Sequence, residues 1–176
     1  MVFEYTSNHL TQEELNVVKK YLTNNVRQYG CKINKYLETK EKIPKKLLKL
    51  SIEHKAYNVE DYNYIIINHH TFENKDIIFS TDHSFKDKIC CLNIGDECEI
   101  VFENLDLKDS KIKIHDGSMF MLADEDVYKY KYYYKTENKN FDHYSIMFKT
   151  YTFDISNEEY KVFNLVSKYI NPDILA

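Results

Sequence analysis

The chain has 176 residues, enough for one buried core, and is most simply a single domain spanning residues 1–176. Hydrophobic residues make up 43% and aromatics 15%, with 16 Tyr and 10 Phe, which excludes a disordered chain. The net charge of −4 argues against nucleic-acid binding through bulk charge, while leaving room for a local basic face.

Arg27 is the sole arginine, and the excess of Lys, Asn, Ile and Tyr over Gly, Pro and Ala is that of AT-rich coding, such as a large DNA virus or a protist uses. With 3 glycines there is little room for a Gly-rich phosphate cradle, and no nucleophile elbow or dinucleotide fingerprint is present. Cys31, Cys90, Cys91 and Cys98 lack C-x-x-C spacing, so reduced and mostly buried thiols are expected and a zinc site is not. The N-terminus has no basic region leading into an apolar core, and no run approaches the ~18 apolar residues of a membrane span. The expectation is a soluble intracellular protein, cytoplasmic or nuclear.

In chain order, Thr11 and Glu14 form a capping-box pattern ahead of Leu15, Val18 and Leu22, which predicts an amphipathic helix over 12–26 with Gly30 closing the region. From Lys32 to Lys55 eight lysines face three glutamates, and Pro44 starts a second helix through Leu47, Leu48 and Ile52. A solvated helix face beside a loop accounts for these lysines; nucleic-acid contact through Lys42, Lys45 and Lys46 is the competing reading. From Tyr62 the period becomes that of strands. Runs at Tyr64–Ile67, Ile77–Phe79, Ile89–Ile94, Glu99–Phe102, Ile112–Ile114, Met119–Leu122, Val127–Tyr134 and Tyr144–Tyr151 give about eight strands, a count that suits a sandwich or barrel.

Over residues 128–135, Tyr128, Tyr130, Tyr132 and Tyr134 share one face of a strand, while Lys129, Lys131, Tyr133 and Lys135 share the other. Such a face can stack bases with Lys129 and Lys131 holding phosphates, but a buried aromatic face backed by a solvated one is the preferred reading. At the C-terminus Ser156 and Glu159 form a second capping box, and Tyr160, Phe163, Val166 and Ile170 mark a helix of about residues 157–170 ended by Asn171-Pro172.

Five pieces stand in a recognisable order: Asn63-Tyr64-Ile65-Ile66-Ile67-Asn68, Phe79-Ser80-Thr81-Asp82, Ile89-Cys90-Cys91-Leu92-Asn93-Ile94-Gly95, the run Ile112 to Met121 around His115-Asp116-Gly117-Ser118, and His143 to Lys149. Together they resemble the AlkB-like family of iron(II)- and 2-oxoglutarate-dependent dioxygenases, which oxidatively remove alkyl groups from nucleic acid bases. The resemblance covers residues 10–151. It implies an α+β, mainly β fold, a double-stranded β-helix or jelly roll with N-terminal helices, the C-terminal helix lying outside it.

The family pattern implies two histidines and one carboxylate on iron. Its H-x-D pair falls on Ser80-Thr81-Asp82, and its second histidine falls on Lys131 or Tyr132. Cosubstrate anchors implied by the resemblance fall on Asn68 and His70, and its two arginines on His143 and Lys149. A lysine there is a point charge without the bidentate fork. His69, His70, His83, His115 and His143 are the other imidazoles near these runs, and scattered histidines are usually surface or satisfied core groups. The resemblance therefore implies a degenerate member, with no cofactor expected, that acts by binding a protein partner, a second copy or nucleic acid and has no membrane role. The alternative is an active iron(II)/2-oxoglutarate demethylase using Asp82 with atypical ligands such as His70 or His143.

Overall fold

The computed structural model describes residues 2–33, 37–39, 41–51, 62, 64–74, 76–77, 85–104, 110–123 and 130–151. The capping box forms as the sequence predicts: Thr11 Oγ1 accepts from the Glu14 amide at 3.3 Å, and Glu14 Oε2 accepts from the Thr11 amide at 2.7 Å. It starts α1 (Gln12–Lys19), whose Leu15 and Val18 are buried. The helix stops well short of residue 26. Instead β1 (Val2–Thr6), β2 (Arg27–Ile33) and β3 (Leu37–Thr39) are strands that the periodicity did not predict, and α2 (Lys45–Leu48) is one turn after Pro44. Gly30, read as the end of a helical region, lies inside β2 at φ 88°. Only an achiral residue takes that angle cheaply, so here it serves a strand.

Then follow β4 (Tyr64–Thr71), β5 (Asp76–Ile77), β6 (Phe85–Gly95), β7 (Cys98–Asn104), β8 (Ser110–Ile114), β9 (Ser118–Ala123), β10 (Tyr130–Lys135) and β11 (Asp142–Tyr151). They form a large sheet in the order β1-β9-β6-β11-β4-β2-β3 and a small one in the order β5-β10-β7-β8. Successive strands from β4 to β11 thus alternate between the two sheets except β7 and β8, which both lie in the small one, and every pairing among them is antiparallel. The fold is a mainly β double-stranded β-helix with helices at its N-terminal side. Strand residues 127–129, Phe79 and the C-terminal helix of residues 157–170 lie outside the described residues.

Strict alternation along the central strands divides the core in two. Cys90, Leu92 and Ile94 on β6 with Ile146 and Phe148 on β11 pack under α1 and α2, beside Leu15, Val18 and Leu47. Ile89 and Cys91 with Met147 face the small sheet, where Ile100, Phe102, Tyr132 and Tyr134 meet them. Each large side chain so buried contributes roughly 1.5–3 kcal/mol. Cys90, Cys91 and Cys98 are buried and in no disulfide, as their spacing suggested. The β6–β7 connection closes on Gly95 at φ 109°, where an added Cβ would stand 2.5 Å from the Asp142 carbonyl oxygen. No helix of the described residues is long and apolar enough to cross a membrane.

Candidate functional site

The face of the large sheet that looks into the barrel carries an unexpected polar row. Ser118 on β9 lies opposite Asn93 on β6, Asn93 opposite Ser145 on β11, and Ser145 opposite Asn68 on β4. One step towards the β6–β7 connection, His143 lies opposite His70. One step the other way, Phe120, Cys91, Met147 and Ile66 restore an apolar surface. The period-two alternation of strands puts these side chains on one face, and the pairing register aligns them.

The small sheet covers the row with phenols. Tyr134 Oη donates to Asn93 Oδ1 at 3.1 Å, and Asn93 Nδ2 reaches the Cys91 carbonyl at 3.5 Å. His70 Nε2 and Ser145 Oγ share a hydrogen bond of 2.9 Å. His143 Nδ1 donates to the Asp96 carbonyl at 3.0 Å, which fixes the proton on that nitrogen because a carbonyl only accepts. Its Nε2 then lies 3.4 Å from Asn93 Oδ1, an approach that becomes a hydrogen bond only with a second proton on the ring. Ser118 Oγ is buried without a partner. Phe141 stacks on His143 at 5.5 Å between centroids, and Tyr134 tilts over both His143 and His70 at 4.7 and 4.9 Å.

Burial sets the charge of this region. His70 is pushed down to about 3, by desolvation first and by the neighbouring His143 second, against a backbone hydrogen bond at Asn74. Desolvation likewise holds His143 at about 4, although its bond to Asp96 and the carboxylates of Asp116, Asp96 and Asp142 pull the other way. Both imidazoles are neutral at pH 7. The buried phenols of Tyr132 and Tyr134 are held well above the usual tyrosine range.

The anchor positions Asn68, His70 and His143 therefore come together, on adjacent strands and in register. Lys149 is farther along β11, opposite Tyr64 and Ile89, half-buried and close enough for its charge to favour the Cys91 thiolate. Tyr132 is an interior phenol, its hydroxyl 3.5 Å from Met147 Sδ and its ring packed between Phe102 and Phe120. Ser80, Asp82, His83 and Lys129 lie outside the described residues, and Lys131 pairs with Glu103 in the β10–β7 ladder. Among the described residues no group of three or more His, Cys, Asp and Glu side chains could hold a metal ion. His69 pairs with Asp142 at 2.7 Å, His115 with Glu97 at 2.7 Å, and His9 Nε2 donates to the Leu50 carbonyl at 2.7 Å, so these imidazoles are engaged elsewhere. Lys42, Lys45 and Lys46 are exposed around α2, on the outer layer away from the barrel interior.

Sequence reasoning did not single out Asn93, Ser118, Ser145 or Tyr134 as one constellation. Their signal is a polar residue at an inward position of an otherwise apolar strand, as in Cys91-Leu92-Asn93-Ile94 and His143-Tyr144-Ser145-Ile146.

No protein-family profile and no curated protein matches this sequence. Solved structures do match. The structure of OsALKBH1, an AlkB homologue, superposes with a TM-score of 0.58 at 10% identity, covering 84% of this chain and 97% of that one. The chain has an AlkB-like fold. At so low an identity the AlkB-like likeness speaks for the fold alone, because one fold hosts many unrelated functions.

In the AlkB-like frame, Lys149 is the one cation among the four implied cosubstrate anchors, and the paired His70 and His143 do not fit a dicarboxylate. Its carboxylates need cations or several donors, whereas His70 and His143 are neutral and already committed to Ser145 and Asp96.

Proposed function

We infer that this protein is an AlkB-like-fold binding module whose barrel does not carry out iron- and 2-oxoglutarate-dependent oxidation. One observation carries the reading. The interior position of the implied cosubstrate anchors is filled by neutral hydrogen-bonded pairs, His70 with Ser145, Tyr134 with Asn93 and His143 with the Asp96 carbonyl, packed against Phe141. Placing a dianion there would desolvate its charge between two neutral imidazoles, with Lys149 farther along β11 as the one cation among the implied anchors. With oxidation set aside, the chain acts by holding a macromolecular partner.

Thermal unfolding of the purified protein with Mn(II), an oxygen-stable substitute for Fe(II), and 2-oxoglutarate tests this reading. Ligands that bind only the native state at ~100 times their dissociation constant add about 2.7 kcal/mol, several degrees of midpoint for a domain of this size. The expected result is no shift at millimolar ligand. A cooperative shift that requires both ligands overturns the reading and points to an oxidative demethylase working through atypical ligands, with the inward-facing Lys149 as carboxylate anchor.

A further inference from the structure

An open depression of about 430 Å³ lies on the small sheet, on the side turned away from the barrel interior. Cys98, Ile100, Ile114 and Tyr134 face the core, so strand alternation turns Glu99, Lys113 and Lys135 outward. The pairing register sets these three side by side, with Glu99 between Lys135 on β10 and Lys113 on β8. Glu97 ahead of β7 and Thr136 and Glu137 after β10 complete the rim. The rim is held in shape at both ends. Glu97 takes His115 Nδ1 at 2.7 Å and Lys113 Nζ at 3.3 Å, and these two hydrogen bonds keep its carboxyl below the usual range. The loop after β10 is clasped by Asp96, whose Oδ2 accepts from Asn138 Nδ2 at 3.1 Å and from the Asp142 amide at 3.0 Å. Thr136 Oγ1 accepts from the Asn138 amide at 3.1 Å, which leaves its own proton to donate. Lys135, Glu99 and Glu137, by contrast, form no ion pair among the described residues, although Lys135 and Glu99 stand opposite one another.

We propose that this depression binds a small zwitterion, an ammonium and a carboxylate on a short body, of the size of an amino acid or a dipeptide. The ligand's carboxylate meets the Lys135 ammonium and the Thr136 hydroxyl, and its ammonium meets the carboxylates of Glu99 and Glu137. Three features of the lining select this chemistry. The volume stands at the lower end of the ~300–1,000 Å³ typical of small-molecule sites. Glu97 and Lys113 occupy one another, so Lys135 on one side and Glu99 with Glu137 on the other leave both signs on offer, which suits a ligand that carries one of each and repels a polyanion. No aromatic or large aliphatic side chain lines the depression, so a stacked ring or an apolar body gains little there. Cys98 also contributes to the lining, but its thiol is pushed up to about 12, by burial first and by Asp96 and Glu97 second. It stays protonated, and the site holds its ligand without covalent chemistry. This site is separate from the barrel interior and does not depend on how that interior is read.

The test is amide correlation NMR of the full chain, titrated at constant ionic strength with alanyl-alanine at millimolar concentrations. Two blocked peptides run beside it: N-acetyl-alanyl-alanine, which lacks the ammonium, and alanyl-alanine amide, which lacks the carboxylate. Saturable shifts at the amides of Glu99, Lys113, Lys135 and Thr136 are expected, with a dissociation constant on the order of 1–10 mM because both ion pairs are exposed. Each blocked peptide should bind about fivefold more weakly, the upper range for one exposed pair. Lys135→Gln should weaken alanyl-alanine about fivefold and leave the amide unchanged, while Glu99→Gln should weaken alanyl-alanine and leave the acetylated peptide unchanged. Both variants should keep the wild-type thermal midpoint, because the two side chains are exposed. Shifts that do not saturate or that centre elsewhere, or variants that bind like the wild type, would overturn the proposal. So would a blocked peptide that binds as well as the free one: the acetylated peptide would reduce the site to an anion contact at Lys135, the amide to a cation contact at the glutamates. A response to Mn(II) and 2-oxoglutarate reports on the barrel interior and leaves this result standing.

Discussion

Acid should unfold this protein steeply, and the two buried imidazoles are the reason. His70 and His143 have native pKa values of about 3 and about 4, against an ordinary value of 6.5. A base whose pKa is lowered by folding binds fewer protons in the native than in the unfolded state. The stability it contributes is fully present above pH 6.5 and is lost as pH falls towards 4 for His143 and 3 for His70. At pH 4.5 each ring withholds a proton that the unfolded chain would take up at a gain of about 2.5 kcal/mol, so the pair costs roughly 5 kcal/mol relative to pH 8. That rivals the whole stability of a small domain, which is about 5–15 kcal/mol. Between pH 5.5 and 4.5 the two rings together contribute a slope of ~2.7 kcal/mol per pH unit. Urea unfolding at half-unit intervals, extrapolated linearly to water, measures it. The double variant His70→Asn, His143→Asn serves as reference, since it shares every other titrating group. Its stability is lower at pH 8, but its curve should be flatter by that slope. Parallel curves for the two proteins would refute the assignment of neutral, desolvated imidazoles and with it the case against a bound dianion.

Three further outcomes follow from the packing. Gly95→Ala must place a methyl 2.5 Å from the Asp142 carbonyl oxygen at φ 109°, so a loss of about 2–4 kcal/mol is expected in urea unfolding, with the midpoint falling accordingly. Tyr134→Phe removes the hydroxyl that donates to buried Asn93 and should cost about 1–3 kcal/mol in urea unfolding, whereas Tyr132→Phe, whose hydroxyl donates to the weakly accepting Met147 thioether at 3.5 Å, should cost less; equal losses would contradict the network. Ser118→Ala deletes a buried hydroxyl without a partner, so stability measured by thermal unfolding should stay level or rise by up to ~1 kcal/mol.

Local chemistry was legible in the sequence wherever neighbours in the chain are also neighbours in space. Thr11 and Glu14 lie three residues apart and cap α1 on their own, and the alternation along Ile89–Ile94 and Tyr144–Phe148 assigns each side chain to one of two core layers. The eight strands of the barrel and the order of their motifs were visible for the same reason. Strands β1, β2 and β3 were not, because Val2–Thr6 is short, Arg27–Ile33 is interrupted by Gly30, and their pairing with β9 and β4 supplies what their own periodicity lacks.

Only the tertiary structure decided how the interior is filled. The hydrogen bond between His70 and Ser145 joins residues 75 apart, and that between Tyr134 and Asn93 joins residues 41 apart, so no local pattern reports them. Sequence by itself determined which residue types stand at the implied anchor positions, His70 and His143 among them, the latter where the resemblance implies an arginine. Whether those histidines carry charge depends on desolvation, and desolvation is a property of everything packed around them: Phe141, Tyr134 and the strands that hold the row in register.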